Sequence, residues 1–96
     1  SAAASDVYKR QVMKLHKLAF DTHENALKAM FTRDIGLAEA LRNERNTVED
    51  LLNNIELLIH KSYSDIAPQM LAATTAIRQI YGHGVDIADL VMPKVH

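Results

Sequence analysis

Two histidines near the start of the chain are the side chains best suited to bind a metal ion. His16 and His23 lie seven residues apart, and Glu24 follows the second of them. Seven residues bring two side chains to nearly the same face of a helix, two turns apart. Metal ligands on one helix prefer a spacing of three or four, so we interpret both histidines as packed or solvated. An enzyme or metalloprotein that uses them with Glu24 or Glu44 is the least favoured hypothesis.

Three basic side chains follow one side of the same segment. Arg10, Lys14 and Lys17 recur at helical spacing, which places them on one strip. A basic strip of this kind is usually the solvated face of a helix, and the alternative is a contact with an acidic partner. We favour the solvated face.

A glycine pair near the end of the chain is costly for a helix. Gly82 and Gly84 each destabilise a helix interior by about 0.5 to 1 kcal/mol relative to alanine. Gly84 lies in the main apolar stripe, which favours close packing against the second predicted helix. Gly82 lies off that stripe and is the better candidate for a close approach by an outside helix or a ligand.

The composition argues against catalysis. The chain has no cysteine, and it contains no Gly-rich phosphate loop, serine nucleophile elbow or His-Glu-x-x-His pair. A formal net charge of -1 gives no electrostatic drive toward nucleic acid. No apolar run approaches the roughly 20 residues that cross a bilayer. We therefore expect a non-enzymatic, cytoplasmic protein with no cofactor, no catalytic residues and no metal site.

Apolar periodicity predicts three long helices, at about residues 5–31, 33–61 and 65–92. Ser5, Thr32 and either Ser64 or Asp65 are the predicted N-caps, and Pro93 is the predicted stop. The predicted buried stripes are Tyr8, Val12, Leu15, Ala19, Thr22, Ala26 and Ala29, then Leu37, Leu41, Arg45, Val48, Leu52, Ile55 and Ile59, then Ile66, Met70, Ala73, Ile77, Ile80, Gly84, Ile87 and Val91.

Helices of this length joined by short turns predict an all-α, antiparallel up-down-up three-helix bundle that forms one domain over residues 1–96. Residues 1–4 are expected to be an expression remnant or part of a linker, in a piece of a longer protein. A second apolar line on the first helix, made of Met13, Phe20, Leu27 and Phe31, either completes the core or forms a surface for another subunit.

The motifs on these helices resemble the PhoU family of phosphate-uptake regulators. The resemblance is carried by Arg33-Asp34-Ile35-Gly36-Leu37-Ala38, by Val48-Glu49-Asp50-Leu51 and by the Asp86-Ile87-Ala88-Asp89 ending. It covers most of the chain and implies a three-helix PhoU-type repeat. Family members usually pair two such repeats, and some archaeal relatives join them to an AbrB-like DNA-binding module.

The chain departs from the family at its metal-binding motif. PhoU repeats carry Glu/Asp-x-x-x-Asp on two helices, and those carboxylates can hold iron or zinc clusters. The corresponding pairs in this chain are Arg45 with Glu49 and Arg78 with Gly82. Because only one of the four carboxylates remains, we do not expect the metal cluster. The candidate binding residues are these four and Asp86, and the sharper hypothesis is that both arginines hold an anion or a partner's carboxylates.

The resemblance implies a regulatory or accessory domain in phosphate uptake or phosphate signalling that acts by protein–protein interaction. The expected partners are a phosphate transporter, a sensor protein or a second PhoU repeat, and we expect a homo-oligomer without direct nucleic-acid binding or membrane insertion. The alternative is a generic helical dimerisation or scaffold domain with no phosphate role.

Overall fold

The computed structural model describes residues 2–61 and 65–94, with side chains from Asp6 onward. This part of the chain is helical and contains no strand, which confirms the all-α prediction. Its helices are α1 (Ala2–Thr32), α2 (Ile35–Asn43), α3 (Arg45–His60) and α4 (Ala67–Val91). No helix among the described residues is long and apolar enough to span a bilayer.

The turn between α1 and α2 is tightly specified by two residues. Arg33 takes a left-handed backbone with φ 54, and the Asp34 N–H donates to the Ala29 carbonyl at 2.9 Å, which closes the end of α1. The Asp34 side chain then accepts from the Leu37 N–H at 3.0 Å and caps α2. The predicted cap at Thr32 is wrong, because its hydroxyl donates back to the Lys28 carbonyl at 2.8 Å within α1.

Two other predicted caps also differ from the structure. Ser5 lies inside α1, which begins at Ala2. The N-cap of α4 is Ile66. Asp65, one of the two predicted caps, lies one residue before it, and Ser64, the other, lies outside the described residues. Pro68 occupies the first turn of α4, where its missing N–H costs least. The helix ends at Val91, before the predicted stop at Pro93.

The second predicted helix is divided into α2 and α3 at Glu44. Residues 42–47 are all exposed, including Arg45, the charged member of the predicted stripe. Between Leu41 and Val48 there is thus no buried side chain to hold the chain in one straight helix. Asn43, at the end of α2, also has a lower helix propensity than its neighbours Arg42 and Glu44.

The core consists of two separate layers along α4. The larger contains Leu15, Ala19, Val48, Leu52, Ile55, Ile59, Ile77, Tyr81 and Val85. The smaller, at the α1–α2 end, contains Ala26, Ala29, Ala38, Leu41 and Ala88. Small residues in the second layer let three helices approach closely. The predicted α1 stripe is buried or half-buried throughout, as is the α2–α3 stripe apart from Arg45.

The predicted α4 stripe is partly wrong. Ile66 and Ala73 are exposed, whereas Thr74, Tyr81 and Val85 are buried. The reason is that α4 packs against α1, α2 and α3 together, so its buried face is wider than one aliphatic stripe. Thr74 satisfies its buried hydroxyl by donating to the Met70 carbonyl at 2.8 Å.

Gly84 marks a close approach of α4 to α1. A Cβ atom on Gly84 would lie 3.0 Å from the His23 Cα and 3.1 Å from its N. The prediction that Gly84 is needed for close packing therefore holds, but its neighbour is α1 and not the second predicted helix.

The second apolar line of α1 does not complete the core. Met13, Phe20 and Phe31 are 68%, 49% and 78% exposed, and Leu27 is half-buried. Of the two alternatives, the structure favours an outer surface.

Candidate functional site

The five candidate binding residues line one cavity between α3 and α4, of about 320 Å³. Arg45 and Glu49 come from α3, and Arg78, Gly82 and Asp86 come from α4. The remaining lining residues are Gln79, Tyr81, His83 and Val85. We call this the α3–α4 cavity.

Helical spacing places these side chains together. Arg45 opens α3 and Glu49 lies one turn later, and the Arg45 Nε donates to Glu49 Oε1 at 3.1 Å. Arg78, Gly82 and Asp86 follow one another at four-residue steps on α4, so they share one side of that helix. A Cβ atom on Gly82 would meet nothing within 4 Å, so the missing side chain leaves open space.

Arg78 is tied to α3 at the side of the cavity. Its Nη2 donates to Glu56 Oε1 at 2.7 Å and to Asn53 Oδ1 at 3.0 Å. About a third of each partner's side chain is exposed, which makes this a half-buried ion pair that joins α3 to α4. Arg78 therefore has one nitrogen committed to the fold.

Arg45 is charged and keeps unused donors. Its hydrogen bond with Glu49 raises the Arg45 pKa, the charge of Glu49 adds to this effect, burial opposes it, and the charges of Asp89 and Asp86 add less. Its bond to Glu49 uses only Nε, and within the described residues its two Nη atoms donate to nothing.

Tyr81 is a cavity residue that the sequence prediction missed. Its side chain is only 2% exposed, and its hydroxyl has no hydrogen-bond partner among the described residues. Burial raises the Tyr81 pKa, the carboxylates of Glu44 and Glu49 raise it further, and Arg45 lowers it. The sequence contained one indication of this role, because Tyr81 directly precedes Gly82. Gly82 has no side chain and so leaves open space beside a residue that carries a hydroxyl.

The lining is electrically balanced. Arg45 and Arg78 are matched by Glu49 and Asp86, so the cavity does not attract ions of one sign by net charge. Its chemistry is that of hydrogen-bond donors and acceptors placed around a small space, which suits binding. Among the described residues no three His, Asp or Glu side chains come close enough to share a metal ion.

The other residues considered from the sequence lie elsewhere. The His16 ring packs on Phe20, with centroids 4.6 Å apart, and the His23 backbone contacts α4 at Gly84. Arg10, Lys14 and Lys17 are exposed on α1. None of these five residues lines the α3–α4 cavity.

Comparisons of the chain with protein-family models, with curated proteins and with solved structures gave no match. The resemblance to PhoU repeats therefore rests on the sequence motifs alone.

Proposed function

We propose that this chain is a PhoU-like regulatory or accessory domain of phosphate uptake or phosphate signalling, which acts in the cytoplasm by docking onto another protein. In this proposal α1, the α2–α3 arm and α4 form the up-down-up repeat. Three contacts support that order: Tyr8 with Leu58, Glu56 with Arg78, and Arg42 with Asp89. They pair the start of α1 with the end of α3, and the α2–α3 arm with α4 in the opposite direction.

The observation that carries the proposal is the amount of surface that this fold leaves uncovered. The accessible surface is 6694 Å². A compact monomer of 10.7 kDa is expected to expose roughly 5500 Å². The excess of roughly 1200 Å² is larger than the roughly 800 Å² that each partner contributes to a specific interface of standard size.

Part of this surplus surface is apolar, and its two most exposed large side chains lie at one end of the molecule. Phe31 is 78% exposed and Leu90 77%, and Ile35, the first residue of α2, is 45% exposed at the same end. Leu90 and Ile35 line a cavity of about 380 Å³ with Met30, Arg33, Val91 and Pro93. We call Phe31, Ile35 and Leu90 the end cluster. Clustered apolar side chains on a surface mark interaction sites.

The test replaces the chromosomal copy in the source organism with Phe31→Ser/Leu90→Ser and measures uptake of radiolabelled phosphate. We expect uptake to change in the same direction as in a strain that lacks the gene, because the domain loses its docking surface. The matched control is Leu57→Ser, which removes an exposed leucine, 57% accessible, near the opposite end of the molecule. Unchanged uptake in both the double variant and the deletion strain would refute the phosphate role.

The alternative function is a generic dimerisation or scaffold domain, and the same end cluster is the feature that favours it. Loss of self-association in the double variant, with normal phosphate uptake in the deletion strain, would select this alternative.

A further inference from the structure

The α3–α4 cavity contains a polar group whose role the fold does not explain. Buried hydroxyls are nearly always hydrogen-bonded, yet the hydroxyl of Tyr81, one of the residues that line the cavity, is buried without a partner among the described residues. A phenylalanine would fill the same volume without this penalty. A water or a ligand group in the cavity would supply the missing partner.

Several hydrogen-bond donors around the cavity are unused, alongside the carboxylates of Glu49 and Asp86. The Tyr81 hydroxyl stays protonated at neutral pH, because its ordinary pKa of 10.0 is raised further by burial. The two Nη atoms of Arg45 have no acceptor in the described part of the chain. Arg78 lines the same space with a guanidinium of which only Nη2 is engaged by α3. Donors of this kind call for a ligand that presents oxygen acceptors.

The charge of the lining decides which oxygen ligand fits. Glu49 and Asp86 flank the donors, so a doubly charged phosphate would face two carboxylates. A carboxylate carries a single charge, and its two oxygens match two parallel N–H groups of a guanidinium. The volume of about 320 Å³ admits such a group together with several waters, which occupy about 30 Å³ each.

We propose that the α3–α4 cavity binds one carboxylate group, with the Nη atoms of Arg45 and the Tyr81 hydroxyl as donors and Arg78 at its side. The carboxylate comes either from a small free acid or from an acidic side chain of a docked protein. Only the second source rests on the interaction proposed above, and neither depends on a role in phosphate uptake.

The test is an NMR titration of the full chain at constant ionic strength, with acetate, inorganic phosphate and chloride as probes. The signals followed are the Arg45 Nε–H and the backbone amides of Tyr81 and Gly82. We expect saturable shifts with acetate, none with chloride, and at least several-fold weaker binding of phosphate. Absence of saturable shifts with acetate, or tighter binding of phosphate than of acetate, would overturn the proposal.

Variants separate binding from structure. Tyr81→Phe keeps the ring and should weaken acetate binding about two- to tenfold, the worth of one hydrogen bond. Arg45→Gln should abolish the acetate-induced shifts of the Tyr81 and Gly82 amides. Arg42 pairs with Asp89 outside the cavity lining, so Arg42→Gln should leave these shifts unchanged. Asp86→Asn should raise phosphate affinity relative to acetate, a change in selectivity that a purely structural role of Asp86 would not produce. Wild-type acetate affinity in a folded Tyr81→Phe protein would also refute the proposal.

The source of the carboxylate follows from one more pair of probes, N-acetylglutamate amide and N-acetylglutamine amide. Binding of the capped glutamate as tightly as acetate assigns the cavity to a partner's acidic side chain. Binding of acetate alone assigns it to a free acid. If the capped glutamine binds as well as the capped glutamate, the charge is not recognised and the proposal fails.

Discussion

Gly82 and Gly84 of α4 lie two residues apart, one in open space and the other packed against α1. They therefore form a matched pair for mutagenesis. A methyl group on Gly84 would press against the His23 backbone at 3.0 Å, and a backbone cannot rotate away as a side chain can. We expect Gly84→Ala to lower the free energy of unfolding by about 1 to 3 kcal/mol through overpacking.

At Gly82 the same change meets open space. Gly82→Ala should therefore raise the free energy of unfolding by about 0.5 to 1 kcal/mol, the usual gain in a helix interior. Urea denaturation of both variants measures the difference. Equal effects at the two positions would contradict the close contact between α4 and α1.

Tyr81 predicts a pH dependence of stability. Its pKa in the folded protein lies above the ordinary value of 10.0, so the unfolded chain releases this proton at lower pH than the folded chain does. The contribution of Tyr81 to stability is therefore constant below about pH 10 and is lost as the pH rises through its folded pKa. Between pH 8 and 11, the free energy of unfolding measured by denaturation should decline less in Tyr81→Phe than in the wild type. The two proteins share every other titrating group, so the difference reports on Tyr81.

The candidate site was partly predictable at the residue scale. Steps of four residues place Arg78, Gly82 and Asp86 on one side of a helix whatever its neighbours are, so their shared position follows from the sequence. That Arg78 bonds to Glu56, 22 positions earlier, depends on how α3 and α4 pack, and no local pattern contains this information. Tyr81 was missed because aromatic residues in helices usually serve the core, and its ring does so here.

At the scale of elements, the start of α2 depends on one side chain. Asp34 accepts from the Leu37 N–H, one of the donors that a helix start leaves without a partner. Asp34→Ala should lower the free energy of unfolding by about 1 kcal/mol. Thr32→Ala is the control, because the Thr32 hydroxyl bonds within α1 and its loss should change stability by less than about 0.5 kcal/mol. A larger loss at Thr32 than at Asp34 would restore the cap predicted from the sequence.

The sequence specified the helices better than their ends and breaks. The α1 stripe is continuous from Tyr8 to Ala29, so the helix and its buried face could both be predicted. No glycine or proline at Glu44 indicates the break between α2 and α3. The break follows from the lack of any buried residue between Leu41 and Val48. The shift of the buried face on α4 could not be predicted from the apolar stripe for a different reason. A helix that packs against three neighbours also buries polar residues such as Thr74, which an apolar stripe leaves out.

At the scale of the whole molecule, the chain is long and thin. It measures 51 × 23 × 17 Å and has a radius of gyration of 15.4 Å. A compact domain of this length is expected to have a radius of gyration of about 12 to 13 Å. An elongated shape exposes more surface per residue, which is why apolar side chains such as Phe31 and Leu90 remain accessible after the core is filled.

This geometry predicts self-association through the end cluster. Burial of the exposed Phe31 and Leu90 side chains contributes about 25 cal/mol for each Å² of apolar surface removed from water, and the loss of translational and rotational freedom on association opposes this contribution. In sedimentation velocity across a hundredfold concentration range, the average sedimentation coefficient of the wild type should rise with concentration as dimers form. Phe31→Ser/Leu90→Ser should stay monomeric. Both side chains are more than three-quarters exposed, so the double variant should keep the wild-type melting temperature. Leu57→Ser, which is also exposed but lies away from the end cluster, should associate like the wild type. A wild-type chain that remains monomeric at millimolar concentration would contradict this prediction.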